Sequence, residues 1–178
     1  MTAQEREVAI GLLTRSRQTL LDAIAGVSDA QSRWQPLPGR WTILEYTEHL
    51  AISDDKLVAL VERSLRQPPI EETDDARRAR DQRLRETKIP RGVNQAPEML
   101  RPTGRFATLA EAVDAFLAAR ERTLEYARTS TAELRKHFTP HPVLGPMDGY
   151  QWLTANARHV ELHAGHIREI REMAGFPR

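Results

Sequence analysis

Four stretches of this chain repeat apolar residues at three- and four-residue steps, and helix-breaking clusters separate them. That periodicity constrains the fold more than any other feature, because it puts one greasy stripe on each of several long helices and demands that the stripes face one another. The first stretch runs from about Thr2 to Val27, with Leu12, Leu13, Leu20, Leu21, Ile24 and Val27 on the stripe. Gly26 to Gly39 then turns to loop chemistry, with Pro36 and Pro38. The second opens at Trp41 and runs to about Gln67, closed by Pro68 and Pro69. Thr42 followed by Glu45 has capping-box spacing, and Ile43, Tyr46, Leu50, Ser53, Leu57 and Leu60 form the stripe. The third spans Leu109 to about Arg128, carrying Leu109, Val113, Phe116, Leu117, Leu124 and Ala127. The fourth is capped by Asp148, with Gln151 three residues on, and runs to Ala174 before Gly175.

Between the second and third stretches lies a long connection. Glu71 to Arg91 holds seven basic and six acidic residues, so its charges nearly cancel, and a solvated helix or a mobile crossover is expected there. Pro90 to Gly104 reads as irregular. His137 to Met147 is a Pro/Gly-rich loop, and no segment shows the strict alternation of a strand. The expected fold is all-α: a four-helix bundle in one domain over residues 1–178, with a long crossover between the second and third core helices.

Composition narrows the chemistry. The 178 residues include 26 Lys+Arg against 25 Asp+Glu, a net charge of +1. Nucleic acid is not expected as a partner, since neutralising a phosphate lattice needs a surplus of positive charge. No apolar run reaches the roughly 20 residues of a membrane span, and no secretory leader is evident at the start, so a cytoplasmic protein is the expectation. There is no cysteine. Thiolate ligands, iron–sulfur clusters and cysteine nucleophiles are thereby excluded, and a metal would be held by His, Asp, Glu or water.

Three histidines point to such a metal. His159 and His163 are four residues apart on the last helix, which places them on one face about one turn from each other. His49 lies beside the apolar stripe of the second helix. One imidazole from one helix meeting two from another makes a three-nitrogen site with positions left for water or substrate. An HxxxH pair alone is a weak signal, and surface or core histidines are the bland alternative. His166 shares the face of His159 and His163 one turn further on, as a ligand, a hydrogen-bonding neighbour or a substrate contact. Arg120 interrupts the third stripe. It either snorkels, offers a cation to an anionic substrate, or pairs with a buried acid such as Glu48 or Glu161. Glu45 and Glu48 flank His49 as possible carboxylate neighbours or as ordinary surface charges. His137 and His141 read as solvated loop residues, and Trp41, Tyr150 and Trp152 as packing groups.

At these residues the chain resembles the DinB-like superfamily of metal-binding four-helix bundles. WTILEYTEHL is similar to the family's second-helix pattern, a Trp followed eight residues later by a ligand His, here Trp41 and His49. HVELHAGHI is similar to its last-helix pattern, two ligand histidines and then a Gln three residues on; His166 stands where that Gln would be. APEMLRPTGRFAT and HPVLGPMDGYQWL resemble connecting segments of one branch. The resemblance implies a divalent ion, usually nickel or zinc, on His49, His159 and His163, and a homodimer. It also implies a small-molecule substrate. Members of the family include thiol-dependent S-transferases and isomerases using bacillithiol, mycothiol or glutathione, and proposed metal-dependent hydrolases. With no cysteine in the chain, a thiol route requires an added low-molecular-weight thiol. The expected function is thiol transfer to an electrophile or hydrolysis; the alternative is a non-catalytic, metal-stabilised bundle that binds a ligand or partner.

Overall fold

The computed structural model describes residues 1–87 and 96–178; Lys88, Pro90 and Arg91 of the charged connection lie outside them. The elements are α1 (Ala3–Ile24), α2 (Asp29–Ser32), α3 (Ile43–Ser64), α4 (Asp74–Glu86), a 3-10 turn (Glu98–Leu100), α5 (Leu109–Thr129), β1 (Phe138–His141), β2 (Gly145–Asp148) and α6 (Gly149–Glu172). The bundle is built from α1, α3, α5 and α6. Its principal neighbours are α1 with α6, α3 with α5, α3 with α6, and α1 with α5. Of the helices consecutive in the core sequence, α3 and α5 pack together, whereas α1 and α3, and α5 and α6, lie across the bundle from each other; the two histidine-bearing helices, α3 and α6, lie side by side.

The helix starts follow from local chemistry. Thr42 accepts from the Glu45 amide at 3.2 Å, while the Glu45 carboxylate accepts from the Thr42 amide at 2.7 Å. Asp148 and Gln151 make the same reciprocal box, as do Thr2 and Glu5. Each box satisfies two of the amides that a helix start leaves unpaired.

The core is layered. One apolar cluster gathers Leu20, Ile24, Ile43, Leu50, Phe116, Val160 and Ile167 around the histidines' end of the bundle. A second gathers Leu13, Leu57, Val61, Leu124, Leu134 and Leu153 at the other end. Between them in sequence on every helix sit buried polar residues: Ser16, Asp54, Arg120, Thr123 and Asn156. Arg120 is 0% exposed and its guanidinium grips Asp54 at 3.0 and 2.7 Å. It also donates to Asn156, Ser16 and the Leu13 carbonyl. Its partner is therefore Asp54, not Glu48 or Glu161, and all five of its N–H donors are engaged inside the protein. In the second half of α3 the buried face runs through Asp54, Leu57, Val61 and Ser64, and Ser53 and Leu60, expected on the stripe, are only half-buried beside it.

The loop before α6 departs from the sequence expectation. Phe138–His141 and Gly145–Asp148 form an antiparallel hairpin in which Pro140 faces Pro146. Gly145, the first residue of β2 and the partner of His141, has φ +77°, a left-handed conformation open to glycine without strain. The charged connection is helical over Asp74–Glu86 with no fully buried residue. It is tied down by ion pairs all the same: Arg80 reaches Glu72 and Asp148, and Arg135 joins Asp81 to Asp148. Among the described residues no helix is long and apolar enough to cross a membrane.

Candidate metal centre

The box at Thr42 fixes where α3 begins, and His49 follows two turns later. Trp41, just before the cap, packs edge-on against Tyr46 with ring centroids 5.3 Å apart. This is the position of a hydrophobic staple, an apolar contact across the first turn that sets the angle of chain entry. It also lays the indole beside the His49 ring, 4.9 Å away. On α6, His159 and His163 occupy successive turns of the face turned toward α3.

The three rings converge. The His49 and His159 Nε2 atoms are 3.0 Å apart, and those of His159 and His163 are 2.9 Å apart. One ligand atom from each of the three lies within 4.8 Å of the others. Two nitrogens on one ion, with bonds of about 2.0–2.1 Å, can be at most about 4.2 Å apart. Both contacts fall inside that limit.

Proton bookkeeping shows why the cluster suits a cation. Nδ1 of His49 is 2.7 Å from the Leu100 carbonyl oxygen, which can only accept, so Nδ1 carries the proton. Neutral His49 therefore presents a bare lone pair at Nε2. If His159 Nε2–H donates to it, His159 has no lone pair for His163. If His163 donates to His159 instead, His159 and His49 meet lone pair to lone pair. No tautomer gives each contact its own proton, and His159 Nε2–H could at best be shared between two acceptors, whereas one cation accepts all three lone pairs.

The surroundings keep the rings neutral. Burial pushes the His49 pKa down, partly offset by its bond to Leu100. His159 is pushed down to about 3, first by burial and then by the neighbouring imidazoles and cations. Burial and the facing histidines also hold His163 well below the ordinary range. Neutral imidazole is the form that binds a metal.

The remaining candidates separate clearly. His166 does not join the three; its ring lies 5.4 Å from those of His163 and Tyr46 and borders the site. Arg120, expected as a possible substrate contact, is sealed in the polar layer and has no donor left to offer. Glu45 is spent on the helix cap. Glu48 is 1% exposed and holds the crossover backbone. His141 packs on Trp152 at 5.1 Å, and its Nδ1 accepts from the Val143 and Leu144 amides. His137 bonds the Gln67 carbonyl. Trp41 and Tyr46 were expected only as packing groups, yet they wall the site: Tyr46 lies 5.2 Å from His163, and Trp41 6.3 Å from it. The signal for Trp41 was its place one residue before a capping box. For Leu100 no signal existed, because the contact uses a backbone carbonyl.

A bundle whose second and last core helices pool three neutral imidazoles defines the class of metal-site helical bundles. Residues 12–167 match the DinB superfamily, and the chain belongs to that family. No curated protein matches. Among solved structures, YfiT from Bacillus subtilis, described as a probable metal-dependent hydrolase with an unusual four-helix bundle topology, is similar. It superposes with TM-score 0.65 at 18% identity, covering 99% of this chain and 91% of that one. A conserved protein from Enterococcus faecalis superposes with TM-score 0.61 at 13% identity, covering 96% and 97%. These likenesses establish the shared fold.

Proposed function

We propose that this protein is a metal-dependent enzyme acting on a small molecule, with His49, His159 and His163 holding one divalent ion, nickel or zinc. The observation that carries the reading is the number of protein ligands. Among the described residues three imidazoles converge, and neither His166 nor a carboxylate closes the group. Structural sites fill four positions with protein, whereas catalytic sites keep one or more open. Ring neutrality supports the same reading, because the site needs no deprotonation to bind at pH 7.

A divalent ion bound there supplies Lewis acidity and lowers the pKa of a coordinated water or thiol toward neutrality. The chain's own residues do the rest. The Leu100 carbonyl holds His49 in the tautomer that presents Nε2. Trp41 and Tyr46 give the site apolar walls that limit water and favour an apolar substrate portion. His166 stands at the rim, where it can hydrogen-bond a substrate. Hydrolysis is the favoured reaction, in line with the description of YfiT. Thiol transfer to an electrophile uses the same centre and takes its sulfur from an added low-molecular-weight thiol. The family resemblance adds a homodimer to the proposal, checked by sedimentation.

The test is turnover of activated esters and amides by nickel- or zinc-loaded protein. A parallel arm offers alkylating electrophiles with glutathione, bacillithiol or mycothiol. Metal-dependent turnover lost in His163→Ala supports the enzyme. Equal rates in wild type and His163→Ala, with metal bound only by the wild type, replace it with a metal-stabilised binding module.

A further inference from the structure

We propose that Glu48 is a positioning residue for the metal centre: through the crossover backbone it aims the His49 ring. The proposal rests on the reading of His49 as a ligand.

Glu48 and His49 are consecutive on α3, so their side chains leave the helix about 100° apart. The same short piece of crossover meets both. Glu48 Oε1 accepts from the Thr103 amide at 2.7 Å, and Oε2 accepts from the Gly104 amide at 3.1 Å. The Arg105 amide and the Thr103 hydroxyl lie further off at 3.4 Å, and the Arg105 guanidinium approaches to 3.8 Å. Three residues before Thr103, the Leu100 carbonyl accepts the His49 Nδ1 proton at 2.7 Å. Residues 100–105 therefore form a bridge with one foot on each side chain.

The chemistry of the Glu48 foot is specific. Successive amides converge on one anion only when the backbone turns them to the same side, as in an anion-binding nest. Gly104 makes that turn, with φ +75°. A carboxylate almost wholly removed from water is costly unless its oxygens are bonded, and these bonds supply what water would have given. Gln at this position keeps the shape but replaces one acceptor oxygen with an NH2 that faces amide donors.

The His49 foot depends on it. The acceptor is a main-chain oxygen, so no side chain of the crossover can replace it, and its place is set by where the backbone is held. A shift of 1 Å lengthens 2.7 Å beyond the range of a useful hydrogen bond. Nδ1 then loses the partner that fixes the tautomer, and Nε2 is no longer reserved for the metal. Such outer contacts to ligating histidines typically govern metal affinity by 10–100-fold.

The experiment is a calorimetric titration of Ni2+ into full-length metal-free protein, as wild type, Glu48→Gln, Gly104→Ala and His163→Ala. Nitrogen-15 spectra of the histidine rings of the metal-free proteins accompany it. Expected are one ion per wild-type chain, loss of binding in His163→Ala, and affinity weaker by about 10–100-fold in Glu48→Gln and Gly104→Ala. The His49 ring should show the Nδ1–H form in the wild type and a mixture with Nε2–H in both bridge variants. Unchanged affinity and tautomer in folded Glu48→Gln overturn the proposal and leave the metal centre standing. Weaker binding with an unchanged His49 tautomer overturns it too, since the loss is then general. If the wild type takes no Ni2+, or His163→Ala takes it equally well, the reading of the centre fails. The tautomer comparison then still decides whether Glu48 aims His49. Should Glu48→Gln not fold, Gly104→Ala decides, because a Cβ there meets nothing within 4 Å and acts only through the backbone turn.

Discussion

Replacing Arg120 with Met strips the polar layer of its only described cation and leaves Asp54 in the core. The wild-type guanidinium makes two bonds to Asp54 and one each to Asn156, Ser16 and the Leu13 carbonyl. Arg120 and Asp54 are both 0% exposed at the side chain. In the variant the carboxylate keeps only neutral side-chain donors, Asn156 and a long contact to Thr123 at 3.4 Å. Removing one partner of a buried pair costs about 3–5 kcal/mol, because the other charge stays buried and unpaired. For a chain of this size each kcal/mol lowers Tm by about 2–4 °C, so a fall on the order of 10 °C is expected. The loss should shrink on acidification. Burial already pushes the Asp54 carboxyl up, with Arg120 pulling it back. Without Arg120 it rises further, so the native state binds a proton that the unfolded state does not, and stability relative to wild type recovers as pH falls toward 5. Arg120→Met combined with Asp54→Leu should regain most of the loss, since a matched apolar pair can replace a buried ion pair. Urea unfolding followed by circular dichroism measures the wild type, Arg120→Met, Asp54→Leu and the double variant. A double variant whose loss equals the sum of the two single losses would refute the pairing argument.

Three further outcomes follow from the site and its packing. His159, held down to about 3, stays neutral in the folded metal-free protein while its unfolded form titrates near 6.5, so stability falls as pH drops below about 6.5 and continues to fall toward 3. At pH 5 this one ring costs about 2 kcal/mol, and acid titration of urea midpoints for wild type against His159→Phe should show it; identical slopes contradict it. Trp41 lies against His49 with the rings tilted and is near His163, so Ni2+ should quench a part of the tryptophan fluorescence that is missing in Trp41→Phe. Quenching that survives that substitution places the ion elsewhere. A Cβ on Gly149 would meet Leu134 and Val61 atoms at 3.1 Å, so Gly149→Ala should destabilise by about 1–3 kcal/mol through overpacking while Ni2+ affinity holds.

The four bundle helices were legible because their apolar residues recur at helical steps and their starts carry capping boxes at Thr42 and Asp148. Which helices adjoin was not, since periodicity says that a stripe is buried and not what it is buried against. The hairpin at Phe138–Asp148 escaped notice for a physical reason: each four-residue strand contains a proline, and that disrupts both the ladder and the alternation a strand would show. Asp54 is a signal the sequence does carry. It sits four residues after Leu50 and three before Leu57, at a core position of α3, which called for a buried cation opposite. Arg120 interrupts the α5 stripe, but the expected stripe of α3 runs through Ser53 rather than Asp54, so periodicity does not pair the two. His49, His159 and His163 were readable as a set from their spacing and from the DinB-like patterns around them. The contact of His49 with the Leu100 carbonyl, and those of Glu48 with the same crossover, join parts of the chain some fifty residues apart and leave no local trace.

The central claim is that three imidazoles hold one divalent ion and leave part of its coordination sphere open. X-ray absorption on the protein loaded with one equivalent of Ni2+ tests it most directly. The account predicts three imidazole nitrogens at about 2.0–2.1 Å with exchangeable oxygen ligands completing the shell, and an altered spectrum in His49→Ala. A shell without histidine scattering, or a spectrum unchanged in His49→Ala, would contradict it.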